Sequence, residues 1–367
     1  MAATRVGIIG AGQLGRMMAL AGYPLGIHCS FVDRESDSPG GQVAPIQVAE
    51  LDDFSALSSL ARSVDVLTFD IENVSVAALD RLADIVPVYP SAAAVAATQD
   101  RLNEKQLFMS LGIPTAAFVP VDSAEDLRLA ADSLPWPVVL KARKLGYDGR
   151  GQRIAKDLEA LLKAWDAIGR VPAIAEGWVK FKRELSLIAV RGANGEQAFY
   201  PLTENTHRDG ILVASFAPYE DPDLHTIAVD WLSRLMNNFD YRGVLTVEFF
   251  HTAEGLVANE IAPRVHNSGH WTIEGAVSDQ FENHLRAILG WPLGDPGVRG
   301  YAGMVNMLGR LADRQKILNI PGAHFHSYGK QARPARKLGH CTLVAANEEA
   351  LQERLAPLKS IVADANC

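Results

Sequence analysis

Lys141-Ala142-Arg143-Lys144-Leu145-Gly146-Tyr147-Asp148-Gly149-Arg150-Gly151-Gln152 places a lysine at the end of an apolar, strand-like run and follows it with a loop of three glycines. A lysine held at a strand end offers a fixed charge to phosphate oxygens. Backbone amides of a glycine-rich loop can close over a polyphosphate without Cβ clashes. The plainer reading, an ordinary hairpin with basic flanks, stays open on these residues alone.

Before this stretch, strand-like and helix-like segments alternate, which is the signature of an α/β layer. Val6 to Ile9 reads as a buried strand, Arg16 to Ala21 as a helix and Cys29 to Val32 as a second strand ending at Asp33. Val64 to Phe69 and Ile85 to Tyr89 are expected to continue the sheet, with a helix over Val76 to Ala83 between them. The helix expected over Asp100 to Leu111 stops at Gly112-Ile113-Pro114, a glycine cap followed by a proline. Ser123 and Asp126 have the spacing of a capping box, and Pro137 to Lys141 reads as a strand. The pattern then changes. Glu184 to Val190, Gln197 to Pro201 and Ile211 to Phe216 look like antiparallel strands, with hairpin turns at Asn194-Gly195 and Asp209-Gly210. The last 65 or so residues read as a small strand-rich appendage.

Gly10, Gly12 and Gly15 inside the first βαβ unit, with Asp33 some 18 residues beyond, match the dinucleotide template. The same loop suits any anion at a helix N-terminus, or is merely a tight turn. A nicotinamide enzyme would leave the second glycine loop without a task, which argues against that choice.

From Gly243 to Arg264 the chemistry is denser. Val244, Thr246, Glu248 and Phe250 alternate on one strand face, and a second strand runs from Leu256 to Ile261 after the turn Thr252 to Gly255. A hairpin centred near Glu254 sets Glu248 opposite Glu260. Two like charges about 4.5–5.5 Å apart are destabilising unless a cation lies between them. Magnesium suits two glutamates with Asn259 beside them; the plainer reading is two solvated glutamates. Arg264-Val265-His266-Asn267-Ser268-Gly269-His270 follows, a density of donors suited to an oxyanion or a structural loop of satisfied polar groups.

Composition narrows the classes. The chain has 367 residues, 48% of them hydrophobic, with a net charge of −8 and three cysteines, Cys29, Cys341 and Cys367. Such a chain builds two or three domains, and cysteines this scattered make neither a disulfide framework nor a zinc site. No export signal, membrane span or general nucleic-acid affinity is expected. From Asp313 to Glu348 no acidic residue intervenes, while Arg314, Lys316, Lys330, Arg333, Arg336 and Lys337 fall inside the gap. That strip is an anion site or a solvated basic face.

In this order, the glycine flap, Glu176-Gly177-Trp178-Val179, Glu184, Glu248 and Asn259-Glu260 resemble the ATP-grasp superfamily. Gly10 to Met17, Gly146 to Gln152, His207-Arg208-Asp209-Gly210, Ala262 to Trp271 and Arg333 to His340 narrow the resemblance to the 5-(carboxyamino)imidazole ribonucleotide synthases of purine biosynthesis. It spans nearly the whole chain. It implies a Rossmann-like parallel-sheet domain over 1–99, an ATP-grasp domain over 100–300 and a strand-rich C-terminal domain over 301–367. The implied reaction joins bicarbonate to the amine of 5-aminoimidazole ribonucleotide with ATP, in the cytoplasm and as a homodimer.

By resemblance, Arg101 and Lys141 would meet the ATP phosphates under the flap Gly146, Tyr147, Asp148, Gly149, Arg150, Gly151 and Gln152. Glu176, Gly177, Trp178 and Val179 would line the adenine slot. Glu184 would hold the ribose, with His207 and Asn259 also at the nucleotide. Glu248 and Glu260 would carry magnesium. Gln13, Leu14, Tyr147, Arg150, Arg264, His266, Asn267, Ser268, Lys330, Arg336 and Lys337 would surround the ribonucleotide. Asp148, Arg264, His266, Asn267 and Lys330 would be the catalytic set. Departures from the family pattern fall at Asp70-Ile71 and at Glu204, away from the metal and phosphate groups. A sister ligase that formylates glycinamide ribonucleotide would share the flap and metal residues but differ around His266 to His270. A non-catalytic nucleotide-binding regulator would need neither Asp148 nor the basic strip.

Overall fold

A computed structural model describes residues 3–146 and 151–365. The N-terminal sheet is parallel, with β1 (Thr4–Ile9), β2 (Ile27–Asp33), β3 (Ile46–Val48) and β4 (Val66–Phe69) in the order β3-β2-β1-β4. Helices α1 (Gln13–Gly22), α2 (Phe54–Arg62), α3 (Val76–Ala83) and α4 (Ala92–Thr98) cover it. Residues 6–9 of β1 and all of β4 are buried on both faces and, Thr68 apart, give the near-continuous apolar runs expected of parallel strands. The strand expected over Ile85 to Tyr89 is reduced to a single parallel bridge between Leu67 and Val88. Pro87 and Pro90, which lack N–H groups, interrupt its ladder.

Helix α5 (Arg101–Ser110) is capped by Asp100 and ends at Gly112 in the left-handed region, φ +66°. Beyond it a small antiparallel sheet, in the order β5-β8-β6-β7, contains β5 (Phe118–Val121), β6 (Val138–Ala142), β7 (Gln152–Ala155) and β8 (Ala173–Gly177). It packs on α6 (Ala124–Ser133), where the Ser123–Asp126 capping box is formed, and on α7 (Leu158–Ala167).

The third sheet is long. It holds β9 (Arg183–Arg191), β10 (Gln197–Phe199), β11 (Thr203–Arg208), β12 (Ile211–Ala217), β13 (Gly243–His251) and β14 (Leu256–Ala262), with α8 (Pro222–Asn238) against them. The partner of β12 across the Asp209-Gly210 turn is β11, a separate strand beyond Pro201, so the run from Gln197 does not reach that turn. Both turn residues have positive φ, 54° and 76°, as a tight hairpin demands. After α9 (Thr272–Gly275) and α10 (Gln280–Ile288), β15 (Tyr301–Leu308) joins this sheet beside β12. Past α11 (Arg314–Leu318), β16 (Ala323–Ser327) and β17 (Lys337–Ala345) complete the order β14-β13-β9-β11-β12-β15-β17-β16, with β10 paired to β9. The C-terminal strands are thus not an appendage but an extension of the central sheet, backed by α12 (Glu348–Ala365).

Candidate active site

Glu248 lies directly opposite Glu260 in the β13–β14 ladder. From His251–Leu256 to Phe249–Ala258 the pairs run regularly, and continuing them would bring Asn259 opposite Glu248. A β-bulge at Asn259 shifts the register by one residue and brings Glu260 there instead. Arg101 Nη1 holds Glu260 Oε2 at 2.8 Å. Burial penalises the Glu260 carboxylate, but Arg101 outweighs it and its pKa is lowered. Burial pushes Glu248 up, His207 opposes, and the neighbouring Glu260 pushes further up. Asn259 Oδ1 is buried without a hydrogen-bond partner. Two unequal carboxylates beside an unsatisfied amide oxygen fit a hard cation that also takes phosphate oxygens. Among the described residues no cluster of three His, Cys, Asp or Glu could hold a metal by itself.

Lys141, at the end of β6, donates to Glu176 Oε2 at 2.9 Å, and Lys105 lies 3.7 Å from Glu176 Oε1. These two cations overcome burial and hold the Glu176 carboxyl down at about 2. Glu176 therefore anchors Lys141 with its side chain, while Trp178, 44% exposed, stands open beside it. Glu184 pairs with His207 Nδ1 at 3.0 Å; burial works against the imidazolium, but this contact raises its pKa. Tyr147, Asp148, Gly149 and Arg150 lie outside the described residues, as does Cys367; Gly146, Gly151 and Gln152 bound the flap, with Gln152 starting β7.

The Arg264 loop is held from several elements. Arg264 Nη2 meets Glu72 at 2.6 Å, a partner from the N-terminal region. A buried chain runs from Ser215 through Asn205 and Ser186 to Ser268, at 2.7, 2.9 and 2.8 Å, and Ser268 Oγ lies 2.9 Å from His266 Nδ1. His266 Nδ1 also accepts from the Ser268 N–H, so Nε2 carries the proton of the neutral ring, and it faces Glu248 at 3.5 Å. Burial, reinforced by Arg264, holds His266 well below its usual pKa. Asn267 and Asn306 exchange reciprocal amide hydrogen bonds at 3.2 and 2.8 Å. Glu72, Ser186, Asn205, Ser215 and Asn306 escaped sequence reasoning. Their signal is a polar residue inside an apolar run, as Ser186 is within β9.

At the N-terminal loop Lys330 donates to Gln13, bringing together residues 317 positions apart. Leu14 points into the core, so only its backbone can reach a ligand. The glycine cradle is already occupied: Asp70 Oδ2 accepts the Gly15 N–H at 3.2 Å, and a Cβ on Gly12 would lie 2.7 Å from that oxygen. Burial pushes the Asp70 carboxyl up to about 6. The basic strip divides. Lys330, Arg333 and Arg336 line a cavity of about 200 Å³ with Glu35, Asp37 and Ser38, whereas Arg314 stacks on Phe325. Lys337 acts electrostatically on His207, Glu248 and His266.

Comparison with known proteins identifies the family. Residues 3–99 match the ribonucleotide synthetase preATP-grasp domain, 106–281 the ATP-grasp domain and 302–354 the phosphoribosylaminoimidazole carboxylase C-terminal domain. The N5-carboxyaminoimidazole ribonucleotide synthase of Pseudomonas aeruginosa is 45% identical over 98% of this chain and 99% of its own length. The Bacillus subtilis enzyme of that name is 37% identical over 94% and 92%. Among solved structures, the N5-carboxyaminoimidazole ribonucleotide synthetase of Thermus thermophilus superposes with a TM-score of 0.93 at 48% identity, covering 97% of this chain and 98% of that one. The Aspergillus clavatus synthase, in complex with ADP and 5-aminoimidazole ribonucleotide, gives 0.92 at 31% over 99% of both chains. An ATP-dependent ligase with a three-part ATP-grasp architecture, the chain belongs to the N5-carboxyaminoimidazole ribonucleotide synthase family.

Proposed function

We propose that this enzyme carboxylates the exocyclic amine of 5-aminoimidazole ribonucleotide, consuming bicarbonate and ATP and releasing ADP and phosphate. The observation that carries this reading is the Glu248–Glu260 pair beside the unsatisfied Asn259 amide oxygen, flanked by Arg101. Bicarbonate is a poor electrophile. An oxygen of bicarbonate attacks the γ-phosphorus, ADP leaves, and the resulting carboxyphosphate carries an activated carbonyl carbon. The amine nitrogen then forms the C–N bond as phosphate departs, and the nitrogen loses a proton.

Arg101 and Lys141 supply positive charge where phosphoryl transfer accumulates negative charge. Magnesium, held by Glu248, Glu260 and Asn259, would neutralise phosphate oxygens. Glu260, paired with Arg101 at 2.8 Å, would be shared between that guanidinium and the cation. Arg264, fixed by Glu72, and the neutral His266 border the carboxyl donor, and Asn267 is set by Asn306. Asp148 would hold or take the amine proton. Lys330, Arg336 and Lys337 receive the ribonucleotide phosphate, with Gln13 beside Lys330. Against a dinucleotide in the N-terminal loop stand Asp70, which takes the Gly15 N–H, and Asp33, which takes the Ala11 N–H.

The reading includes a cytoplasmic location, in keeping with Cys29 and Cys341 as buried free thiols. It also includes a homodimer, for which Leu20 and Tyr23, exposed three residues apart, offer an apolar face. Light scattering at one-chain mass would remove the dimer. The decisive experiment is ADP release with each substrate omitted in turn. Release should require bicarbonate and rise sharply with 5-aminoimidazole ribonucleotide; release indifferent to the ribonucleotide would overturn the assignment.

A further inference from the structure

Arg101, Glu104 and Lys105 share one face of α5, spaced i, i+3 and i+4, and grip three consecutive residues of β14. Arg101 Nη1 reaches Glu260 Oε2 at 2.8 Å, Lys105 Nζ donates to the Asn259 carbonyl at 2.9 Å, and Glu104 Oε1 accepts the Ile261 N–H at 2.6 Å. Arg101 belongs to the ATP site by its charge. Glu104 and Lys105 have no task in the reaction as described, yet each is only 1% exposed. Charged side chains are almost never so buried without specific partners.

Strand β14 forms the edge of the long sheet, so N–H and C=O groups not directed at β13 must find partners elsewhere. Up to Ala258 they do so through backbone and a short side chain: the Ala258 N–H reaches the Pro114 carbonyl at 2.8 Å, and Thr115 Oγ1 reaches the Ala258 carbonyl at 3.0 Å. At Asn259 the bulge moves the alternation by one residue. From there the edge groups are the Asn259 carbonyl and the Ile261 N–H, the two that Lys105 and Glu104 satisfy. Without the bulge, Glu260 would turn to the opposite sheet face, away from Glu248. Lys105 also lies 3.7 Å from Glu176 Oε1, which has no hydrogen bond of its own, and so ties the small sheet to the bulge.

We propose that Glu104 and Lys105 are positioning residues that lock the β14 bulge, keeping Glu260 in register with Glu248 as a cation ligand. The inference rests on the metal reading above for its consequence, though not for its geometry. Glu104 acts through its carboxyl oxygen as an acceptor, so a glutamine should replace it and a leucine should not. Purely structural packing would tolerate leucine at this buried place at least as well as glutamine.

The test uses the full chain with Glu104→Leu, Glu104→Gln and Lys105→Met. In protein free of metal and nucleotide, amide exchange across Asn259 to Ala262 should quicken in Glu104→Leu and stay protected in Glu104→Gln. In turnover, Glu104→Leu and Lys105→Met should raise the magnesium concentration at half-saturation about 10–100-fold. The KM for the ribonucleotide should stay at the parent value, and Glu104→Gln should restore the magnesium requirement. The proposal is overturned if Glu104→Leu leaves exchange and magnesium dependence unchanged, if Glu104→Gln is as damaged as Glu104→Leu, or if all substrates and thermal stability suffer together. Should Glu104→Leu fail to fold, Lys105→Met and Glu104→Gln carry the same opposed expectations. Glu260→Gln separates the two readings: an unaltered magnesium dependence there removes the metal assignment, while the exchange result still decides the lock.

Discussion

Two places in the molecule set carboxylates beside strands, and they are arranged differently. At the N-terminal loop Asp70 turns onto the glycine amides, so donors that would suit a phosphate are already engaged by the chain. At the β13–β14 hairpin Glu248 faces Glu260, with an unpartnered amide oxygen alongside, Arg101 on Glu260, and His266 and Lys337 near Glu248. A glycine-rich turn is therefore not in itself a nucleotide cradle. What differs is where the carboxylates point: at the loop Asp70 takes the Gly15 N–H, whereas at the hairpin two carboxylates face each other across the ladder.

The largest effect should come from the hairpin. If Glu260 holds the cation as proposed, Glu260→Gln keeps shape and removes a ligand charge, so turnover should fall by ~100-fold or more while the unfolding transition stays near that of the parent. Near-normal ADP release at saturating magnesium would erase the contrast between the two regions. Next comes the basic strip beside the N-terminal loop. If Lys330 and Arg336 hold the ribonucleotide phosphate as proposed, replacing either by alanine removes a charge-assisted contact worth about 1.5–3 kcal/mol and raises the KM for the ribonucleotide roughly ten- to a hundredfold. The KM for ATP should hardly move, and equal penalties on both substrates would transfer the strip to the ATP site.

A third experiment addresses Asp70 itself. Burial raises its carboxyl from 3.8 to about 6, so the folded state holds this proton more tightly than the unfolded chain does. The group's contribution to stability is therefore greatest in acid and falls as pH rises through that window. Asp70→Asn should gain on the parent between about pH 4 and about pH 7, by as much as ~3 kcal/mol in urea unfolding. A difference that does not vary with pH would mean that the carboxylate is better solvated than its burial indicates. The smallest effect is steric. Gly12→Ala places a Cβ 2.7 Å from Asp70 Oδ2 and should cost about 1–3 kcal/mol. In an Asp70→Ala background that cost should shrink, and additive costs would show that the carboxylate does not fill the loop.

What was legible in the sequence was local. The Ser123 box, the Gly112 cap and the Asn194-Gly195 and Asp209-Gly210 turns follow from a few adjacent residues, and so does the first βαβ unit. The Glu248–Glu260 pairing was also anticipated, from a hairpin centre near Glu254. The turn lies half a residue earlier, and the bulge at Asn259 makes up the difference. That bulge is enforced by Glu104 and Lys105, over 150 positions away, and no short window contains both partners. Asp70 stood out only as a departure from the family pattern, because its role depends on parallel strands meeting at the glycine loop. The same holds for Glu72 with Arg264 and for Asn306 with Asn267, each joined only by tertiary packing.

The unbroken long sheet bears on how this family can be recombined. Between the ATP-grasp and C-terminal matches there is no seam in the hydrogen bonding, because β12 pairs with β15 from Ala214–Val305 to Ala217–Ala302. A chimera cut at that junction inherits half a ladder from each parent, and a residue's slip between donors would turn Asn306 away from Asn267. The C-terminal segment is better regarded as a limb than as a cassette. Grafts that keep β12 and β15 from one parent should retain the Asn306–Asn267 pairing, whereas swaps between them must match register first.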